Sequence, residues 1–186
     1  MPKRIDEDKL FGETVAVFAE RGYQATATLE IARRSGVSEV TLFRRYGAKA
    51  ALINAALRHT LSRASFAQIE ATDDVAADLV TLVRMYADTT QRYGGAALTV
   101  LTDVPRHPEL RETMEALMPN LNKAAELIGA HQERGNLARC EPMQMLIELL
   151  APVMVHGLWS RTGASPIAPY DPEALVDAFL NGHRPR

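Results

Sequence analysis

The sequence predicts an all-α protein of about nine helices, a small three-helix head followed by a larger helical body. Three observations carry that prediction. Apolar residues make up 47% of the 186-residue chain and aromatics only 6%, so Ala, Leu, Val and Met fill the interior, a mix that suits helices better than sheets. Apolar positions recur at three-to-four spacing, as at Phe11, Val15, Phe18 and Ala19, and no strand-like alternation interrupts them. Glycines and prolines fall where these periodic stretches begin and end.

Taken in order, the first helix runs from the N-terminal acids to Gly22, which can close it with a left-handed backbone. A second covers Thr28–Ser35 and stops at Gly36. Ser38 is a good N-cap for a third, Glu39–Tyr46, because its hydroxyl can accept from the free amides of the first turn; Gly47 ends it. A long fourth helix is expected over 49–70, ended by the polar "ATDD". Further helices are expected over 75–93, 96–103, 108–134 (broken or kinked at Pro119), 142–162 and 172–181. Pro108, Pro142 and Pro172 sit where a first turn tolerates a missing amide hydrogen, whereas Pro152 falls inside a helix.

Composition narrows the function classes. Cys140 is the only cysteine, which excludes an intrachain disulfide and leaves a cysteine zinc site without partners. The longest apolar run, 149–155, is far shorter than a membrane span, and the N-terminus lacks a signal-like apolar stretch, so a soluble cytoplasmic protein is expected, with no membrane partner. Net charge is −2, but residues 1–60 hold ten Lys/Arg against seven Asp/Glu, and the rest eleven against sixteen. A mildly basic head on an acidic body points to nucleic acid at one end only.

Three short helices with a Gly-containing turn between the second and third describe a helix-turn-helix. Ile31, Ala32, Val37, Leu42 and Tyr46 can share one small core with Phe11, Phe18 and Tyr23, and Gly36 permits the sharp turn. Taken at about 100° per residue with Leu42 inward, Val40 and Arg44 centre the outward face of the third helix, with Thr41 and Phe43 beside them. Arg44 is then the side chain for guanine O6 and N7, Val40 packs on a thymine methyl, and Thr41 completes the base-facing set while also being a phosphate candidate. Arg45 lies on the helix shoulder, nearer phosphate. Arg33 and Arg34 sit on the helix that crosses the backbone in this motif; phosphate contact and plain solvation both remain open for them. Thr28, Ser38 and Lys49 complete the phosphate set, Lys49 aided by the amides at its helix start. Glu39 has two readings, acceptor for a cytosine amine or complement to its helix dipole.

Residues 18–52, "FAERGYQATATLEIARRSGVSEVTLFRRYGAKAAL", resemble the DNA-binding head of the tetracycline-repressor family of bacterial regulators. The shared features are an aromatic-Ala-x-x-Gly-Tyr, a Thr-containing stretch, Ile-Ala, Gly-Val-Ser, Thr-Leu-aromatic and a Lys opening the fourth helix. The resemblance implies a homodimeric repressor whose two heads grip a palindromic operator and release it when a small molecule enters the body. It also implies a head over 1–48 and a ligand-binding and dimerisation body over 49–186, with 49–70 connecting them. Three positions depart from the family pattern. Ala27 stands where a capping Ser or Thr is usual, with Thr26 and Thr28 as alternatives one residue off. Phe43 occupies the phosphate-contacting tyrosine position without its hydroxyl, and Ala48 replaces a Ser or Asn cap.

In the body, Met85, Tyr86, Met114, Met118 and Trp159 are candidates for a pliable ligand pocket, ordinary core filling being the alternative for each. The helix "PMQMLIELLAPVMVHGLWS" is apolar nearly all round and must be covered on both sides. With "PEALVDAFLNG" it is expected to form a four-helix dimer interface through Leu146, Leu150, Val153, Met154, Gly157, Leu158, Leu175, Val176, Phe179 and Leu180. His156 reads as a core or interface histidine, and His59 as a contact from the fourth helix to the sixth or seventh. Asp103, His107 and Glu109 have loosely metal-like spacing, but a loop cap is the better reading, so no metal and no cofactor are expected. Two other classes compete: a helical enzyme or small-molecule carrier with a purely structural trihelix, and an interaction adaptor using the last two helices. No nucleophile with a placed base, phosphate loop or HExxH supports an enzyme.

Overall fold

The computed structural model describes residues 5–61, 69–161, 163, 168 and 171–183, and the backbone alone of Ala116. Among these residues there are eight α-helices, one 3-10 turn and no strand. They are α1 (Glu7–Ala25), α2 (Thr28–Ser35), α3 (Glu39–Tyr46), α4 (Lys49–Leu61), α5 (Val75–Asp103), the 3-10 turn Pro108–Leu110, α6 (Arg111–Glu133), α7 (Pro142–Arg161) and α8 (Pro172–Gly182).

The count is eight because the two helices expected over 75–93 and 96–103 are one. α5 runs 29 residues and includes Gly94 and Gly95. Two adjacent glycines weaken a helix without blocking it, and buried Val83 on one side and Ala96 and Val100 on the other hold it in place. α6 likewise continues through Pro119. Its first turn is a separate 3-10 turn led by Pro108, and the N–H of Leu110 bonds to the His107 carbonyl at 2.9 Å. The described part of α4 ends at Leu61, 62–68 lie outside the described residues, and Ile69 and Glu70 are not helical.

The chain divides into two compact units, Met1–Arg63 with Gly95–Met118, and Ala64–Gly94 with Pro119–Arg186. In the first, Leu10, Phe11, Val15, Val17 and Phe18 of α1 pack with Ile31 and Ala32 of α2 and Leu42 of α3. Leu52, Ile53, Ala56 and Leu57 of α4 and Ala96, Val100 and Leu110 complete this core. Tyr23, Val37 and Tyr46 pack against it half-buried, so the small core read from the sequence is present in full. Buried Asn54 satisfies its amide at both ends: its N–H donates to the Glu109 carbonyl at 3.0 Å and its oxygen accepts from the Thr113 hydroxyl.

The second unit has its own core, from Leu79, Leu82 and Val83 of α5 through Leu127 and Ile128 of α6 to Met145, Leu146, Leu149, Leu150 and Val153 of α7 and Val176 and Phe179 of α8. One buried polar cluster lies inside it. His131, fully buried, is 2.9 Å from Asp78 through Nε2 and 3.2 Å from the Asn136 amide through Nδ1. Asp78 also accepts from the Thr72 amide at 2.7 Å and hydroxyl at 2.9 Å, which leaves this buried carboxylate well supplied with donors.

By length and mean hydropathy, 1.2 over its apolar window, α7 is long and apolar enough to cross a bilayer. Its inner side nonetheless forms the core of the second unit.

Candidate nucleic-acid interface

The local backbone of the head follows from its small residues. Gly22 has φ 73° and ψ 171°, a break after which α1 resumes for one turn to Ala25. Gly36 closes α2 in the left-handed region at φ 74°, where a side chain is disfavoured, and its N–H reaches the Ala32 carbonyl. Ser38 caps α3, accepting from the Thr41 amide at 3.3 Å. Ala27 stands at the start of α2 in an extended conformation with no side-chain cap. Neither threonine beside it takes over. The Thr26 hydroxyl donates back to the Gly22 carbonyl at 2.6 Å, and the Thr28 hydroxyl to Glu39 at 2.6 Å.

Leu42 is buried and Val40, at 77% exposed, is the most exposed large apolar residue among the described residues; Phe43 is 48% exposed. Arg44 is exposed beside them on α3. An exposed valine and phenylalanine flanking an arginine leave an apolar strip facing away from the core.

The four arginines of the motif are not equivalent. Arg33 binds Glu30 with two nitrogens, at 2.9 and 3.1 Å. Arg34 binds Glu30 at 2.7 Å and Glu20 of α1 at 2.8 and 2.9 Å, so it buckles α2 to α1. The Arg33 hydrogen bonds, then those of Arg34, hold the Glu30 carboxyl at about 2, far below the ordinary carboxylate range, and Arg34 lowers Glu20 too. Arg45 pairs with Glu7 of α1 and lies 5.7 Å from the Tyr46 ring centroid. Only Arg44 of the four makes no side-chain ion pair or hydrogen bond among the described residues.

The remaining phosphate candidates are also engaged. Ser38 and Thr41 share a hydroxyl–hydroxyl bond of 2.7 Å at the exposed start of α3. Lys49 Nζ donates to the Tyr23 carbonyl at 2.7 Å and the Gln24 carbonyl at 3.3 Å, and stands 4.5 Å above the Tyr23 ring. Lys49 thus closes the end of α1 as well as opening α4.

His59 reaches α1, 2.8 Å from Asp8 and 4.9 Å from the Phe11 ring centroid. Asp103 accepts from the Tyr23 amide at 2.7 Å, a contact spanning 80 residues that no sequence signal announces. Among the described residues no cluster of three His, Cys, Asp or Glu is placed to hold a metal. Of the pocket candidates, Met85 and Tyr86 pack half-buried on the core of the second unit and Met114 on that of the first, while Met118 and Trp159 are exposed. Leu146, Leu150, Val153, Val176 and Phe179 lie in the core of their own unit and have almost no surface left for a second chain. Met154, Gly157, Leu158, Leu175 and Leu180 are half-buried. The exposed apolar residues of α7 are Ile147, Val155 and Trp159.

An all-helical chain with a helix-turn-helix head, its third helix turning an open arginine away from the core, is in class a DNA-binding transcription regulator. Family comparison makes it specific. Residues 10–56 match the model of bacterial regulatory proteins of the tetR family, and residues 69–179 the tetracyclin repressor-like C-terminal domain. The chain belongs to the TetR family, whose members are regulators and not enzymes.

Solved structures share the fold along more than nine-tenths of the chain. The fatty acid degradation regulator FadR from Bacillus halodurans is 21% identical with a TM-score of 0.71, covering 97% of this chain and 95% of its own. A transcriptional regulator from Rhodococcus sp. Rha1 is 19% identical with a TM-score of 0.74, covering 96% and 97%. The TetR family transcriptional regulator PfmR from Thermus thermophilus is 18% identical with a TM-score of 0.64, covering 92% and 94%. No curated protein matches the chain.

Proposed function

We propose that the protein is a homodimeric, ligand-responsive repressor acting in the cytoplasm, in which Arg44 reads base edges in the major groove and Val40 and Thr41 flank it. One observation carries the assignment of the reader: Arg44 is the arginine of the motif without an acidic partner among the described residues, beside the 77%-exposed Val40. Its guanidinium fork is available to guanine O6 and N7 without first leaving a carboxylate. Arg33 and Arg45, each paired with one acid, are phosphate anchors that exchange a carboxylate for a phosphate on binding. Thr28, Ser38 and Lys49 stand with them at the ends of their helices. Phe43 packs an apolar ring against the sugar-phosphate edge. Arg34, held by two carboxylates, braces α2 and contributes least to DNA.

Dimerisation places two such heads about one turn of DNA apart, roughly 34 Å, or a larger repeat. A small molecule that favours a C-terminal conformation with another head spacing releases the operator by its differential affinity. Met85 and Tyr86 are the retained candidates to meet it, being half-buried against the core of the C-terminal unit.

The test selects binding fragments from random DNA, then compares wild type with Arg44→Ala on a selected fragment and on random DNA. Arg44→Ala is expected to lower specific affinity by about 1–3 kcal/mol and random-DNA affinity far less. Equal losses on both DNAs would show that Arg44 is a phosphate anchor and not the reader.

A further inference from the structure

Tyr23 follows the break in α1 and precedes the segment from which α2 starts, and it is held from four directions within the first unit. Its amide donates to Asp103 Oδ2 at 2.7 Å. Its ring packs on His107, centroids 4.6 Å apart, with Lys49 Nζ 4.5 Å above it. Its carbonyl accepts from Lys49 at 2.7 Å. Burial, and then the hydrogen bond to Glu109, raise the pKa of its hydroxyl.

Asp103 is itself fixed. It ends α5, and its carbonyl accepts from the amides of Arg106 at 2.9 Å and His107 at 2.8 Å in the turn that follows. The two chain segments meet at the Gly22 break: a Cβ there would stand 3.4 Å from Asp103 Oδ2, in van der Waals contact. From this point the contacts run on into the reading helix. Thr26 returns its hydroxyl to Gly22, α2 starts at Thr28, and the Thr28 hydroxyl binds Glu39 at the first turn of α3, one residue before Val40.

We infer that Asp103 is a positioning residue for DNA reading: by capping the Tyr23 amide it sets the angle at which α2 and α3 leave α1. Asp103 lies in the C-terminal family segment, 69–179, and Tyr23 in the N-terminal one, 10–56, so the cap is a point where the C-terminal segment governs the head. The inference rests on the DNA-reading function proposed above. A charge-assisted bond from one amide N–H to a carboxylate is short and directional, and base-edge contacts tolerate little angular error, whereas phosphate contacts tolerate more.

The experiment measures binding of the full chain to a selected fragment and to random DNA, each across a salt series, for wild type, Asp103→Ala, Asp103→Asn and Asp103→Ser. Asp103→Ala is expected to weaken specific binding about tenfold, to leave random-DNA binding within about twofold and to keep the salt slope. Asp103→Asn retains an acceptor oxygen at the same reach and is expected to recover most of the specificity, and hydrogen exchange at the Tyr23 amide is expected to speed up in the alanine variant and not in the asparagine one. Should Asp103→Ala not fold, Asp103→Ser, whose oxygen stops short of the amide, stands in for it with the same expected loss. Specific binding within twofold of wild type in the alanine or serine variant, or no recovery with Asp103→Asn, overturns the inference. If wild type itself selects no fragment, it is the DNA-reading function that fails, and the exchange rate at Tyr23 then reports on the cap alone.

Discussion

Glu30 serves two arginines at once, and its titration gives the head a defined acid limit. Arg33 and Arg34 lower its pKa in the folded chain to about 2, against an ordinary 4.5. A carboxyl depressed in this way stabilises the fold fully above its unfolded value, and the contribution is lost as pH falls from about 4.5 towards about 2. Glu30→Gln is therefore expected to destabilise the protein at pH 6 and to differ progressively less from wild type below pH 4.5. Urea unfolding at pH 6, 4 and 3 checks this; a gap between the two proteins that stays constant with pH removes the ion pairs as its cause. The pairs are partly exposed, so the effect is modest and shrinks in salt. The same geometry explains why two adjacent arginines on α2 do not form one basic patch: the acids at Glu20 and Glu30 neutralise them in place.

Among the elements, α2 starts without a side-chain cap. Ala27 already has the extended backbone of an N-cap, φ −100° and ψ 128°, is exposed, and lacks only the acceptor. Ala27→Ser is expected to stabilise the protein by about 1 kcal/mol, read as a rise in the urea midpoint with unchanged slope. No gain would mean that the α2 amides are satisfied in another way. The head is legible in the sequence because caps and glycine stops are local: Ser38 capping α3, the positive φ at Gly22, Gly36 and Gly47, and the shared core of Phe11, Phe18, Ile31 and Leu42 all follow from neighbours in the chain. Contacts set by tertiary packing are not legible there. Nothing near Asp103 points to Tyr23, nothing near Asp78 points to His131, and the helical pattern over 75–103 reads as interrupted because two glycines look like a stop when the packing on either side is unknown.

At the scale of the whole molecule, the homodimer proposed above needs a surface that joins two copies. An α7 that is apolar all round does not reveal which half its own chain covers. In the fold, Met145, Leu146, Leu149, Leu150 and Val153 face their own core. The other half presents Ile147, Val155 and Trp159, exposed by 57%, 51% and 55%, and with half-buried Ala151 these stand four residues apart along one side of the helix. An exposed stripe of this kind is a solubility hazard unless covered, and a second copy presenting the same stripe across a two-fold axis covers it with a self-complementary surface. Substitutions on the two halves are then expected to part company. Leu150→Asp buries a charge in the core and unfolds the second unit, whatever the oligomeric state. Val155→Asp alters only the outer stripe, so the chain is expected to keep its helix content and melting cooperativity but to sediment as a monomer at micromolar concentration. A monomer carries one head, and its second half-site contact is no longer intramolecular, so specific operator affinity is expected to fall by about 100-fold or more while each head keeps its random-DNA affinity. Val155→Asp and Ile147→Asp chains that both remain dimers would place the interface on another surface, and with it the geometry that sets the spacing of the two reading helices.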